Sequence, residues 1–161
     1  MNGTAKTCEV VTDFRRLEQL STDWVRLWEA SSRREIFQDL GWIRAFWKAY
    51  GHKVSLCSPV VFNGEEVIGI LPLVVQGDTL QFLGTPRSDY NDILCEDYLA
   101  ADVLGIALEA LLELPNRWKN CTLANLSGES LIVRHLRELP NQVRRHVELI
   151  FGCSCPDRSR L

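Results

Sequence analysis

Residues 54–62 (VSLCSPVVF), Asn63-Gly64, residues 66–75 (EVIGILPLVV), Gln76-Gly77-Asp78 and residues 79–83 (TLQFL) decide the fold. The three apolar, β-branched runs have strand composition. Asn63-Gly64 is the strongest short hairpin signal, and Gln76-Gly77-Asp78 turns the chain a second time. Three strands joined by turns this tight form an antiparallel meander. Pro72 has no N–H to give a ladder, so it is expected at a sheet edge or a bulge.

Upstream, residues 8–11 form a short β-prone run, and Thr12 and Asp13 are good helix caps. Phe14, Leu17, Leu20, Trp24, Leu27 and Trp28 then recur at helical spacing, with Ser21-Thr22-Asp23 suited to restart the helix. Asp39 can cap a second helix, whose residues Trp42, Ile43, Phe46, Trp47 and Tyr50 make one apolar stripe expected to pack on the sheet. Downstream, residues 93–95 add a short extended piece, 98–114 a long helix, 121–126 a strand, and 130–139 a helix closed by Pro140. The expected order is β-α-α-β-β-β-α-β-α. That is an α/β fold with a mixed, largely antiparallel sheet flanked by helices. Residues 1–150 are expected as one domain and 151–161 as an irregular tail, with 147–151 the only further strand candidate.

The 161 residues carry a formal charge of −3, which argues against nucleic-acid binding, since that needs a basic face. The short basic clusters Arg15-Arg16, Arg33-Arg34 and Arg144-Arg145-His146 read as solvated helix faces. No apolar run reaches the ~20 residues that span a membrane. Residues 1–13 hold Lys6, Glu9 and Asp13 and no apolar signal core, so a cytoplasmic location is expected. In that compartment the six cysteines are expected as thiols: Cys57, Cys95 and Cys121 as small buried hydrophobes, with no metal-site spacing among them.

Chemistry is expected behind the third strand of the meander. Residues 81–94 stop at Gly84-Thr85-Pro86 and then place Arg87, Asp89, Tyr90, Asn91 and Asp92 within six positions. Polar groups gathered behind a strand end line clefts in α/β sheets. A cleft carboxylate can orient an ammonium and take its proton, which makes Asp92 and Asp89 the candidate catalytic groups. If the loop is turn-like, both can face one site, and such neighbouring carboxylates would raise one pKa. The alternative is that both aspartates make turns and caps while Tyr90 packs. Tyr90, Asn91 and Arg87 are the candidate substrate-binding residues. No nucleophile elbow, HExxH or P-loop occurs, and His52, His135 and His146 are scattered.

Three blocks occur in order: Phe37-Gln38 with Trp42, residues 69–73 (GILPL), and Leu83-Gly84 with residues 88–92 (SDYND). Over about residues 13–140 they resemble the front half of a FemAB-like or CelD-like acyltransferase, a tandem branch of the GNAT superfamily. The resemblance implies a GNAT-like domain, the first of two repeats and lacking its closing hairpin. It also implies transfer of an acyl group from acyl-CoA (acetyl-CoA), or a related activated donor, to a small-molecule or cell-envelope amine. This half would shape the acceptor cleft and the second repeat would hold the donor. The donor loop of such enzymes, [QR]-x-x-G-x-[GA], binds pyrophosphate on backbone amides. Residues 84–89 (GTPRSD) offer one Gly, a Pro and an Asp in its place, so acyl-CoA binding by this chain alone is not expected. The other reading is a non-catalytic GNAT-like module that binds a partner or associates with itself through an unpaired sheet edge.

Overall fold

The computed structural model describes residues 5–114 and 117–138. The expected strand at 147–151, the tail, Pro140, His146, Cys153 and Cys155 lie outside the described residues.

The first strand, β1 (Lys6–Val11), leads to α1 (Phe14–Gln19), α2 (Ser21–Ala30) and α3 (Leu40–Tyr50). Asp13 accepts the Arg15 amide at the start of α1, and Asp39 accepts those of Gly41 and Trp42 at the start of α3. Both caps stand where the sequence places them. The meander follows as β2 (Ser55–Leu56), β3 (Ser58–Asn63), β4 (Glu66–Ile70), β5 (Leu73–Gln76) and β6 (Thr79–Phe82), with β7 (Leu94–Cys95) beyond. Then come α4 (Ala100–Leu112), β8 (Asn120–Thr122) and α5 (Leu131–His135). The result is a mixed α/β architecture of two four-stranded sheets, ordered β1-β3-β4-β7 and β2-β5-β6-β8, antiparallel except where β6 pairs with β8. That parallel pair is joined through α4, as a parallel pair requires.

The two sheets are halves of one ladder. Ser55 faces Val75 and Val60 faces Ile70, five residues further along on each side, so the hairpin keeps its register across the gap. The Cys57 amide donates to the Leu73 carbonyl at 3.0 Å and the Leu71 amide to the Pro59 carbonyl at 2.9 Å, closing the gap on that side. Pro59 has no N–H to return, and the Ser58 hydroxyl serves the Leu71 carbonyl instead, at 2.9 Å. The other side of the same strand behaves differently. The Pro72 carbonyl accepts the Leu83 amide at 2.9 Å, but Pro72 has nothing to donate, and there the third strand leaves the ladder. Leu73 pairs with Phe82 and Ile70 with Leu94. Three steps on one strand thus stand against twelve on the other, and nine residues are looped out.

Pro72 is therefore not at an edge or a bulge, as its chemistry suggested. It falls in the two-residue break between β4 and β5, where its missing donor coincides with the departure of the neighbouring chain. The strand expected at 121–126 is also shorter, Asn120–Thr122, because residues 124 and 125 spend their backbone groups on the looped-out segment.

Each face of the ladder carries its own core. Leu17, Trp24, Leu27, Ile43 and Phe46 from α1–α3 close over Val60, Ile70, Val74, Leu83 and Leu94. Val103, Leu104, Ala107 and Leu131 from α4 and α5 close over Val61, Leu73, Leu80 and Phe82. α4 approaches the sheet closely at Gly69, where a Cβ would overlap the Cγ1 of the fully buried Val103. Gly69→Ala should accordingly overpack this contact and cost about 1–3 kcal/mol. Urea unfolding measures it, and partial recovery in Gly69→Ala with Val103→Ala would locate the strain.

Candidate functional site

Residues 83–93 leave the ladder opposite Pro72 and are anchored from both helical layers. On the α1–α3 side, the fully buried Trp24 donates its indole N–H to the Gln38 carbonyl at 2.8 Å, and the Trp28 indole does the same to the Glu35 carbonyl at 3.0 Å. These bonds fix the short 3-10 turn Ile36–Gln38. From it the buried Gln38 side-chain amide donates to the Asp92 carbonyl at 2.6 Å. Trp42, held edge-on by Phe37, covers the root of the loop. Gly84 takes φ +120°, open only to glycine, and a Cβ there would come within 2.7 Å of the Trp42 ring. Two blocks far apart in sequence, Phe37-Gln38-Trp42 and 84–92, thus form one structure.

From the other layer, the Asp92 carboxylate binds the start of α5. Its Oδ1 accepts the Ile93 amide (2.9 Å), the Ser130 hydroxyl (2.9 Å) and the Ile132 amide (3.2 Å), and its Oδ2 accepts the Leu131 amide (2.7 Å). Ser130, the N-cap of α5, also accepts from the Ile132 amide at 3.2 Å. Burial raises the Asp92 pKa, and the three backbone amides and the hydroxyl pull it back down. The expectation that Asp92 and Asp89 face one site, with one pKa raised by the neighbouring carboxylate, is corrected. Asp92 is 3 % exposed with both oxygens occupied, whereas Asp89 is exposed and has no hydrogen-bond partner or ion pair among the described residues. The shift at Asp92 comes from desolvation.

Asn91, expected to touch substrate, is also turned inward. Its amide donates to the Asn125 carbonyl (3.0 Å) and its side chain to the Ala124 carbonyl (3.2 Å), while the Asn125 side chain donates to the Ser88 carbonyl (2.8 Å). Both loops bend sharply at this junction: Tyr90 and Asn125 adopt left-handed φ of 56° and 58°. Ser88 is fully buried, with its hydroxyl lacking a partner among the described residues. The loop therefore presents Arg87, Asp89 and the half-buried Tyr90 outward and keeps Ser88, Asn91 and Asp92 inside. Outward chemistry at this site amounts to one free carboxylate, one phenol and one guanidinium.

A column of aromatic rings runs beneath it. Trp42 stacks on Phe46 at 5.5 Å, Phe46 meets Tyr50 at 5.1 Å, and the Arg87 guanidinium lies 4.7 Å from the centre of the Tyr50 ring. The spacing of four residues on α3 aligns the rings. The stripe packs on the core as expected, with Ile43 and Phe46 buried, and the half-buried Trp42 and Tyr50 also support the loop. Gln38, Asn125 and Ser130 also belong to the site, and only Gln38 stood in a block singled out in the sequence. The amides of Thr85 and Arg87 are taken by the Phe82 and Gly84 carbonyls, and Pro86 has none. Among the described residues no group of His, Cys, Asp or Glu could hold a metal ion, and no helix is long and apolar enough to cross a membrane. Cys57 and Cys95 are buried thiols, Cys95 pushed up to about 12 by burial and by Asp92, Asp97 and Glu96. Cys121, expected buried, is exposed on β8.

No family model, curated protein or solved structure matches this chain.

The geometry separates the two aspartates energetically. Asp92→Asn replaces one acceptor oxygen with a donor amide facing backbone N–H groups, and should cost about 1–3 kcal/mol for the donors left unpaired. Asp89→Asn should stay within ~0.5 kcal/mol, as ordinary surface changes do. Denaturant melts of both variants make the check. Equal stability losses would overturn this division of roles.

Proposed function

We propose that this chain is the acceptor-side half of a GNAT-superfamily N-acyltransferase, moving an acyl group from acyl-CoA or a related activated donor to an amine. The observation that carries the reading is the looped-out segment 83–93: it is pinned by Gln38, Trp42, Asn125 and the start of α5, yet holds the exposed Asp89 carboxylate on a fixed support. Function favours this arrangement, because a reacting group must be positioned by residues that are themselves locked. In this reading Asp89 orients the incoming ammonium and accepts its proton, Tyr90 lines the cleft, and Asp92 positions the loop without touching substrate. Within 84–89 the Thr85 and Arg87 amides are already bonded to the Phe82 and Gly84 carbonyls and Pro86 has none, which supports a donor held by a second repeat rather than by this segment.

The second reading, a non-catalytic module for a partner or a second copy, draws support from β8. Its three residues are exposed, and the strand pairs with β6 alone among the described residues. An unpaired strand edge is a template for another chain.

One set of experiments distinguishes the two. In a protein carrying both repeats, Asp89→Asn should lower acyl transfer from acetyl-CoA to an amine by ~10²-fold or more, as loss of a general base does. Full turnover in a stable Asp89→Asn protein would remove the carboxylate from the mechanism. If the full-length protein shows no transfer with any amine while the isolated chain dimerises in light scattering, the second reading replaces the first.

A further inference from the structure

We propose that Arg87 and Lys53, gathered on the ring of Tyr50, form an oxyanion-binding clamp. With Asp89 beside it, the clamp selects acceptors that carry both an ammonium and a carboxylate or phosphate. The inference deepens the acyltransfer reading and rests on it for the word acceptor, but the clamp itself stands on separate observations. The Arg87 guanidinium lies 4.7 Å and the Lys53 ammonium 5.7 Å from the same ring centre. Both charges lie near one ring, and an anion that reaches both gains attraction from each. Neither cation has a carboxylate within ion-pair distance among the described residues, and both are exposed.

The support is fixed. Tyr50 continues the ring column from Trp42 through Phe46. The Arg87 amide is bonded to the Gly84 carbonyl at 2.7 Å, and the neighbouring Ser88 is fully buried. Arg87 therefore projects from an anchored backbone, and a planar guanidinium on an aromatic face keeps its N–H edge free for an oxyanion. Lys48 lies at the same end of α3 and adds to the positive field there. Arg87 and Asp89 flank the inward Ser88 and are both exposed. Arg87 and Asp89, a cation and a carboxylate two residues apart on one loop, together with Lys53 on the ring that Arg87 covers, match a small zwitterion in charge.

The test uses the full chain and four probes: inorganic phosphate, phosphoethanolamine, acetate and β-alanine, each titrated while backbone amide resonances are followed. Shifts at residues 50–53 and 87–89 are expected with the phosphate pair, the carboxylate pair or both, and whichever pair binds identifies the oxyanion. Affinity should fall about tenfold in Arg87→Gln and again in Lys53→Gln. The ammonium-bearing member of the binding pair should bind more tightly than its plain counterpart, and Asp89→Asn should erase that gain. No shifts with any probe, or equal affinity in wild type and both cation variants, overturns the clamp. A plain anion binding as well as its ammonium-bearing counterpart overturns the selection of zwitterions. Because no acyl donor takes part, binding without turnover in the two-repeat protein would discard acyl transfer and keep the clamp, and turnover without binding would do the reverse.

Discussion

Asp92 is the residue on which this architecture turns. Its carbonyl is taken by Gln38 from one helical layer, and its carboxylate by the start of α5 from the other. The residue sits two positions before β7 rejoins the ladder, so a single backbone position ties together the sheet and both faces packed on it. Desolvating a carboxylate is costly, and four donors aimed at two oxygens are what makes such burial tolerable. The same bonds leave neither of its oxygens free. Of the two aspartates of the loop, only Asp89 is exposed.

The looped-out segment is thus held from below by hydrogen bonds and from the side by rings. Trp42 closes on Gly84 at the point of exit, and Tyr50 supports Arg87 near the tip. Segments that carry exposed functional groups commonly trade stability for mobility. This one keeps its backbone anchored at 84, 88, 91 and 92 and leaves only the side chains of 87, 89 and 90 facing out. Ordering is done during folding rather than during binding, which lowers the entropic cost of capturing a small ligand.

Much of this was legible from local pattern. Asn63-Gly64, the caps at Asp13 and Asp39, and the periodic apolar positions of α1–α4 each act over a few residues, and the elements formed where they pointed. What escaped was non-local. Nothing around Asp92 distinguishes a catalytic carboxylate from one that caps a helix starting 39 residues later. Asn125 looked like part of a strand because its apolar neighbours fit one, yet its left-handed backbone and its bond to Ser88 arise only once the two loops meet. Pro72 was recognised as a ladder breaker, but the sequence does not say on which side its missing N–H falls. That side decides whether a proline ends a sheet or opens a gap within it.

The gap has a consequence for how this surface could vary. The chain exits opposite Pro72 and re-enters opposite Ile70, so the two ends of the excursion are held close by the strand they share. Closing a loop between ends already held together depends weakly on its length, about 0.6 kcal/mol for each doubling. The ladder's register is set by the hairpin on the other side and does not depend on how many residues are looped out. The scaffold therefore behaves as a socket: the outward side chains at 87, 89 and 90 can be exchanged while the anchored backbone and the strands that frame it stay in place.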